Sequence, residues 1–190
     1  MLKSHIRRLV CQRKQALSMD ERELLSGAIM RQLEQHPRFQ QAQVVLLYAS
    51  LPDEVSTMSF IERWSATKQI LLPVVVGDVL QLRRYTATAC LQTGSFGIPE
   101  PTRTPEFTDY ASIDLAIIPG VAFTPGGQRL GRGRGYYDRL LEHPLFANVY
   151  KLGICFPCQM FPELPCSPHD VNMDAVITHD SANSTVIFGS

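Results

Sequence analysis

The chain has 190 residues, and its 18 Lys plus Arg balance 18 Asp plus Glu, so the formal net charge at pH 7 is zero. That length suits one domain with a substantial core, and neutrality argues against nucleic-acid binding driven by overall charge. No apolar run approaches membrane-spanning length. The opening MLKSHIRRLVCQRK lacks the apolar centre of a secretory leader, and five cysteines without such a leader favour a reducing cytoplasm.

Taken in order, residues 2–15 read as a basic helix, with Ile6, Leu9, Val10 and Arg13 at helical spacing and Lys3 and Arg7 one turn apart on a common face. Ser18-x-x-Glu21 is a capping-box pattern that opens a second helix over residues 19–35, with Leu24, Leu25, Ala28, Ile29 and Leu33 as its apolar side. His36-Pro37 ends it. Residues 44–48 are apolar and read as a central strand. Residues 49–54, ASLPDE, follow where the ends of such strands line a ligand crevice. Asp53 and Glu54 equally suit the turn before a helix at about 58–66. Residues 69–76 give a second buried strand, 80–85 an extended segment, and 96–101, FGIPEP, a rigid proline loop. Later strands are expected at 115–118, 151–155 and 175–178, with a loop at 165–170. Strands alternating with helices argue an α/β fold: a single three-layer, Rossmann-like domain with a mixed, mostly parallel sheet.

The densest chemistry lies in residues 119–141, PGVAFTPGGQRLGRGRGYYDRLL. Five glycines are interleaved with Arg129, Arg132, Arg134 and Arg139, between the apolar run 115–118 and a helix expected over 136–141. Glycines let backbone N–H groups approach a ligand, and arginine offers a planar cationic fork to phosphate oxygens. Strand, glycine-rich loop and helix N-terminus together form a phosphate-binding arrangement. It is neither a Walker loop, because Arg132-Gly133 stands where Lys and Ser or Thr are needed, nor a complete dinucleotide fingerprint, because position 136 is Tyr. Arg132 and Arg134, set between glycines, are candidates to serve a transferred phosphoryl group, and Asp138 suits a Mg²⁺ ligand.

RLGRGRGYYDRLL, preceded by PGVAF, closely resembles the signature of the 5-formyltetrahydrofolate cyclo-ligase family. The resemblance extends to GIPEP, to a PHD at 168–170 and to the D-x-V of Asp174-Ala175-Val176, and covers nearly the whole chain. Two positions depart from the usual pattern: Thr124 stands where Asp is common, and Arg134 where Lys or Gly is usual. The resemblance implies the fold shared by these ligases and the CoA-transferase-like proteins. It implies ATP-dependent closure of 5-formyltetrahydrofolate to 5,10-methenyltetrahydrofolate, with Mg²⁺ and release of ADP and phosphate. It assigns nucleotide binding to Lys3, Arg7, Arg129, Leu130, Gly131, Arg132, Gly133, Arg134, Gly135, Tyr136 and Tyr137. Substrate binding falls to Ala49, Glu54 and the segment from Arg132 to Tyr136, catalysis to Arg132, Arg134 and Tyr137, and the metal to Asp138 and Asp174. The implied partners are small molecules, with no nucleic acid and no membrane.

Two other readings have residues behind them. Cys155-x-x-Cys158 followed by Cys166-x-x-His169 has the look of a zinc site, though the pairs are closer than in common zinc ribbons. The Arg-Gly segment with Tyr136 and Tyr137 also suits a nucleic-acid-binding module that meets phosphate and base.

Overall fold

A computed structural model describes residues 2–87, 91–94, 97, 99–101, 104–167, 170–180 and 184–188. Phe96 and Ile98 of the proline loop, and Pro168 and His169 of the PHD, lie outside the described residues. Among the described residues, no helix is long and apolar enough to cross a membrane.

The first helix, α1, spans Lys3–Gln15, and α2 spans Met19–Gln35. The capping box at α2 is complete: Ser18 Oγ accepts from Glu21 N at 3.2 Å, and Glu21 Oε2 accepts from Ser18 N at 2.7 Å. Pro37 both stops α2 and starts another helix, α3 (Pro37–Gln41), which sequence reasoning missed. Pro at a first helical position forgoes an N–H that has no partner there, and the His36 ring accepts from Arg38 N at 3.2 Å. Helix α4 covers Met58–Trp64 and α5 covers Tyr136–Leu141.

Among the described residues the strands are, in chain order, β1 (Val44–Leu46), β2 (Gln69–Val76), β3 (Val79–Arg84), β4 (Gln92–Thr93), β5 (Pro99–Glu100), β6 (Glu106–Phe107), β7 (Leu115–Ile118), β8 (Ala122–Phe123), β9 (Arg129–Leu130), β10 (Tyr150–Ile154), β11 (Ala175–Asp180) and β12 (Ser184–Phe188). Eight form one sheet in the order β12-β11-β10-β7-β1-β2-β3-β6. The core pairs β11–β10, β10–β7, β7–β1 and β1–β2 are parallel, while β12, β3 and β6 join antiparallel at the flanks. The sheet is therefore mixed, as expected. The expected end of the sheet at 178 is corrected: β11 runs to Asp180 and turns back into β12.

Period-two alternation divides the core into two layers. Val45, Leu47, Ile70, Leu72, Leu115, Ile117, Leu152 and Ile154 face Ile29, Leu33, Phe39, Phe60 and Ile61 of α2, α3 and α4. Leu46, Leu71, Ala116 and Ile118 face Leu140, Leu141 and Phe146 on the other side. Burial on both faces is why the central strands read as unbroken apolar runs.

The segment between β7 and α5 is not one glycine loop, as expected, but carries a hairpin, β8–β9. Thr124 closes its turn: its Oγ1 accepts from Gln128 N at 3.1 Å, a need an aspartate carboxylate would also meet. Phe123, fully buried, locks the hairpin to the sheet; its ring lies 2.6 Å from where a Cβ on Gly120 would stand and 2.5 Å from one on Gly153. Helix α1 then covers the hairpin through Ile6, Val10, Val121, Ala122 and Leu130. Phe123→Ala should lower the free energy of unfolding by about 3–5 kcal/mol, read from the urea midpoint, because the ring leaves a cavity that backbone on three sides cannot fill.

Candidate functional site

Strand β1 continues to β2 on one side, while β7, its neighbour on the other, leads on to β10 away from it. Such a reversal opens a crevice at the carboxyl ends of parallel strands. A cavity of about 460 Å³ lies there. One wall is made by Tyr48, Ala49 and Leu51 beyond β1, with Pro73, Val75 and Leu80 of the β2–β3 hairpin. The other wall is the Arg-Gly segment: Arg129, Gly131, Arg132, Arg134, Gly135, Tyr136, Tyr137 and Asp138. Glu54 and Glu100 also line it.

The arginines of that segment have different duties. Arg129 is buried, and its Nη2 is ion-paired with Asp138 Oδ1 while Nη1 donates to Pro119 O at 3.2 Å. Gly120 and Gly131 make room for it: a Cβ on either would lie 3.1 Å from its side chain. Gly131 thus admits an arginine rather than a ligand, and Arg129 is a structural cation more than a free phosphate fork. Arg132 reaches across the cavity to the other wall. Its Nη2 donates to Glu54 Oε1 at 2.9 Å and to Asp53 Oδ1 at 2.7 Å, and its Nε to Glu54 Oε1 at 3.2 Å. Arg134 is exposed on the cavity wall, and among the described residues it has no hydrogen bond or ion pair. Arg139 donates through Nε to Asp78 O at 3.0 Å and stacks on Tyr136, fastening α5 to the β2–β3 turn.

Backbone conformation sets the end of the segment. Gly135 caps α5 at φ 68° and Gly133 stands at φ 104°, both conformations that a side chain resists. Arg7 presses on this loop from α1: its Nε donates to Gly131 O at 2.9 Å. Lys3 is drawn elsewhere, to Ser167 Oγ at 2.8 Å and Asp170 Oδ2 at 2.7 Å, and is off the cavity wall. Leu130 faces the cluster under α1, so only its backbone approaches the site.

Asp174 is not brought to Asp138. It stands just before β11, at the opposite ends of the parallel strands, where its Oδ2 accepts from Lys151 N at 2.6 Å. Its carboxylate is needed there to hold the start of β10. Among the described residues, no three His, Cys, Asp or Glu converge into a metal-binding group. The cavity's donor set fits a hard cation held by one carboxylate, Asp138, with phosphate oxygens and water, and not an all-protein cage.

Two tyrosines form the floor. Burial raises the hydroxyl pKa of Tyr137, with the Glu54 charge adding to it, and Tyr48 is raised well above 10.0 by the same two causes in the same order. Both therefore keep their protons at neutral pH and remain hydrogen-bond donors toward the cavity. Sequence reasoning missed Tyr48; it is the last apolar residue at a central strand's carboxyl end, one position short of where the crevice was sought. It also missed Lys14, a buried lysine whose Nζ donates to Asp53 O at 2.8 Å and is ion-paired with Asp53 Oδ2.

Among the described residues, Cys155, Cys158 and Cys166 do not converge into a metal-binding group. Cys155 is buried against Met160, and burial pushes its thiol up to about 12. Cys166 Sγ accepts from Gln128 Nε2 at 2.8 Å, and His169 lies outside the described residues. Within the Arg-Gly segment, Arg129 is buried and Arg132 half-exposed, and both are bound to carboxylates.

Breaking the Arg129–Asp138 pair should be expensive, since it strands a carboxylate where a buried cation held it. Arg129→Ala should lower unfolding free energy by about 3–5 kcal/mol in a urea titration, whereas Arg134→Ala should leave the midpoint unchanged within about 0.5 kcal/mol. Asp53 adds an acid dependence. Burial alone would raise its carboxyl pKa, but Lys14 and then Arg132, each through hydrogen bond and charge, outweigh that and hold it below the ordinary 3.8. A carboxyl depressed by folding stabilises the fold above its unfolded value, and that stabilisation fades as pH falls through the folded one. The urea midpoint should therefore drop more steeply below pH 4 in the wild type than in Asp53→Asn.

The 5-formyltetrahydrofolate cyclo-ligase family model matches residues 1–179. The chain is 30% identical to a 5-formyltetrahydrofolate cyclo-ligase of Escherichia coli K12, over 90% of this chain and 96% of that protein. It is 29% identical to the mouse protein of the same name, over 91% of each. Its fold superposes with a TM-score of 0.84 on Aquifex aeolicus 5,10-methenyltetrahydrofolate synthetase, at 34% identity over 97% of this chain and 92% of that one. The Mycoplasma pneumoniae synthetase gives a TM-score of 0.73 at 25% identity, over 93% and 98%.

Proposed function

The chain belongs to the 5-formyltetrahydrofolate cyclo-ligase family, and from that premise we propose that its cavity brings 5-formyltetrahydrofolate and ATP together and closes the formyl group onto N10. The products are 5,10-methenyltetrahydrofolate, ADP and phosphate. One observation carries the reading to this site: a single cavity has an apolar and tyrosine-lined wall facing a wall of arginines, glycines and a helix start. A flat reduced pterin suits the first, and a triphosphate suits the second.

The chemistry explains why both must be present. A formamide oxygen is a poor leaving group. When the γ-phosphoryl passes from ATP to that oxygen, the N5 lone pair forms a C=N bond to the formyl carbon, and ADP leaves. N10 then attacks the carbon. The C–O bond breaks, its electron pair departs with phosphate, and the N10 proton is lost. Catalysis of such a transfer is mostly position and charge.

The residues divide that task. Arg134, without a partner among the described residues, is the cation available to the transferred phosphoryl group. Arg132 holds the two walls in register through Glu54 and Asp53. Glu54 takes a donor group of the folate once its Oε1 is released by Arg132. Tyr48 and Tyr137 offer neutral hydroxyl donors and exclude water from the floor. Arg7 fixes Gly131 and Gly133 on the nucleotide side, and Lys3 reaches a phosphate by exchanging its bond to Asp170. Asp138 would hold a magnesium ion, which would supply charge neutralisation for the transferred phosphoryl group. The second metal position inferred for Asp174 is not carried forward.

Purified protein mixed with Mg-ATP and 5-formyltetrahydrofolate should develop the near-ultraviolet absorbance of the methenyl product, and omitting ATP should abolish it. Arg134→Ala should lower kcat by about 10²–10³ at unchanged melting temperature, the range seen when one donor to developing charge is removed. A folded Arg134→Ala variant with wild-type kcat would reject the role given to that residue, and no methenyl product from the wild type would reject the reaction.

A further inference from the structure

Asp53 contacts neither substrate in the reading above, yet it joins two cations beside the folate wall. Its carboxylate bridges two cations, with Oδ1 accepting from Arg132 and Oδ2 from Lys14. Lys14 comes from α1, and its side chain is only 6% exposed. The same ammonium also donates to the main-chain oxygen of Asp53 at 2.8 Å, so one buried cation grips both ends of this residue. Arg22 steadies the arrangement from α2: its Nη2 donates to Lys14 O at 2.9 Å and its Nη1 to Pro52 O at 3.4 Å.

Glu54 uses most of its acceptor capacity on protein donors. Its Oε1 accepts from Arg132 twice, and its Oε2 from Leu51 N at 3.0 Å. For Glu54 to offer Oε1 to a donor of the folate, Arg132 must give it up. A partly buried guanidinium that loses its counter-charge is unfavourable. The cluster of Lys14, Arg132, Asp53 and Glu54 holds two charges of each sign, and only Asp53 touches both cations.

We propose that Asp53, pinned by Lys14, is a positioning residue that keeps Arg132 paired while Glu54 turns to the folate. Arg132 then stays at the cavity wall during the exchange, and Glu54 is freed for the folate without leaving a cation unpaired. This rests on the cyclo-ligase reading and on Glu54 as a folate contact. Asp53 and Lys14 act through Glu54 and touch no reacting atom.

The kinetics distinguish this from a simple structural brace. Asp53→Asn keeps the shape but cannot accept from two cations at once, since one of its terminal groups is itself a donor. It should raise KM for 5-formyltetrahydrofolate about tenfold, with kcat and KM for ATP within about twofold, which is the pattern of lost substrate binding. Lys14→Met should reproduce that shift, and Lys14→Arg should restore most of it. In a Glu54→Gln background, Asp53→Asn should add little, because the two changes remove one interaction. Unchanged KM for the folate in folded Asp53→Asn would overturn the proposal, as would a full additive effect on top of Glu54→Gln. If the wild type itself makes no methenyl product, the cyclo-ligase reading falls and takes this inference with it. An active wild type with an unaffected Asp53→Asn sinks the inference alone.

Discussion

The contact between Arg129 and Asp138 is the constraint on which the cavity depends. Arg129 begins the second strand of the hairpin, and Asp138 lies in the first turn of α5. Their ion pair ties the two ends of the loop that carries Arg132 and Arg134. The second amino group of Arg129, on Pro119 O, ties the same loop to the end of β7. A buried guanidinium is costly unless it is paired; among the described residues Arg129 bonds through Nη1 and Nη2 while its Nε has no partner, and the two bonds fix three backbone segments relative to one another. Gly131 follows from this, because the space a Cβ would take there belongs to the arginine, while at Gly120 it is shared by Arg129 and the closer Phe123 ring. Specificity of backbone placement, rather than net stabilisation, is what such a pair provides.

Around that anchor, the charges of the cavity are nearly all matched. Arg132 has Glu54 and Asp53, Asp53 also has Lys14, and Arg129 has Asp138. A neutral chain can therefore hold a polyanion only by exchanging internal partners or by using the cation left over. The pairs serve as place-holders for ligand groups: each keeps a side chain extended in a useful direction before substrate arrives. This reduces the reorganisation required on binding. Two protonated tyrosines on the floor add donors without adding charge, so the apolar wall stays suited to an aromatic ring.

Much of the fold was legible because its signals are strong and local. The capping box at Ser18 and Glu21 placed α2 to the residue, and the four apolar residues 115–118 and eight residues 69–76 gave β7 and β2. The hairpin β8–β9 was not legible, because strands of two residues have no periodicity to read. Helix α3 was hidden because Pro37, read as a terminator, also initiates. At the site, the type of residue was legible but its partner was not. Arg129 and Arg134 look alike in the sequence, and only packing shows one buried against a carboxylate and the other exposed. Lys14 on a helix rich in Lys and Arg reads as one more solvated cation until the fold lays Asp53 upon it. Asp174 followed the reverse course: a family position suggested a metal, and topology put it at the far end of the sheet, capping a strand.

Helix α1 is the first element of the chain, and it is stitched down at three places whose partners are far along it. Lys14 waits for Asp53, 39 residues on; Arg7 for Gly131, 124 on; and Lys3 for Asp170, 167 on. Contacts so distant in sequence form late, since the loop entropy must be overcome first. A ribosome would release this helix long before anything exists for it to grip. Helix α1 therefore docks once the sheet and its other flanking helices are in place, and closes over the hairpin as a latch.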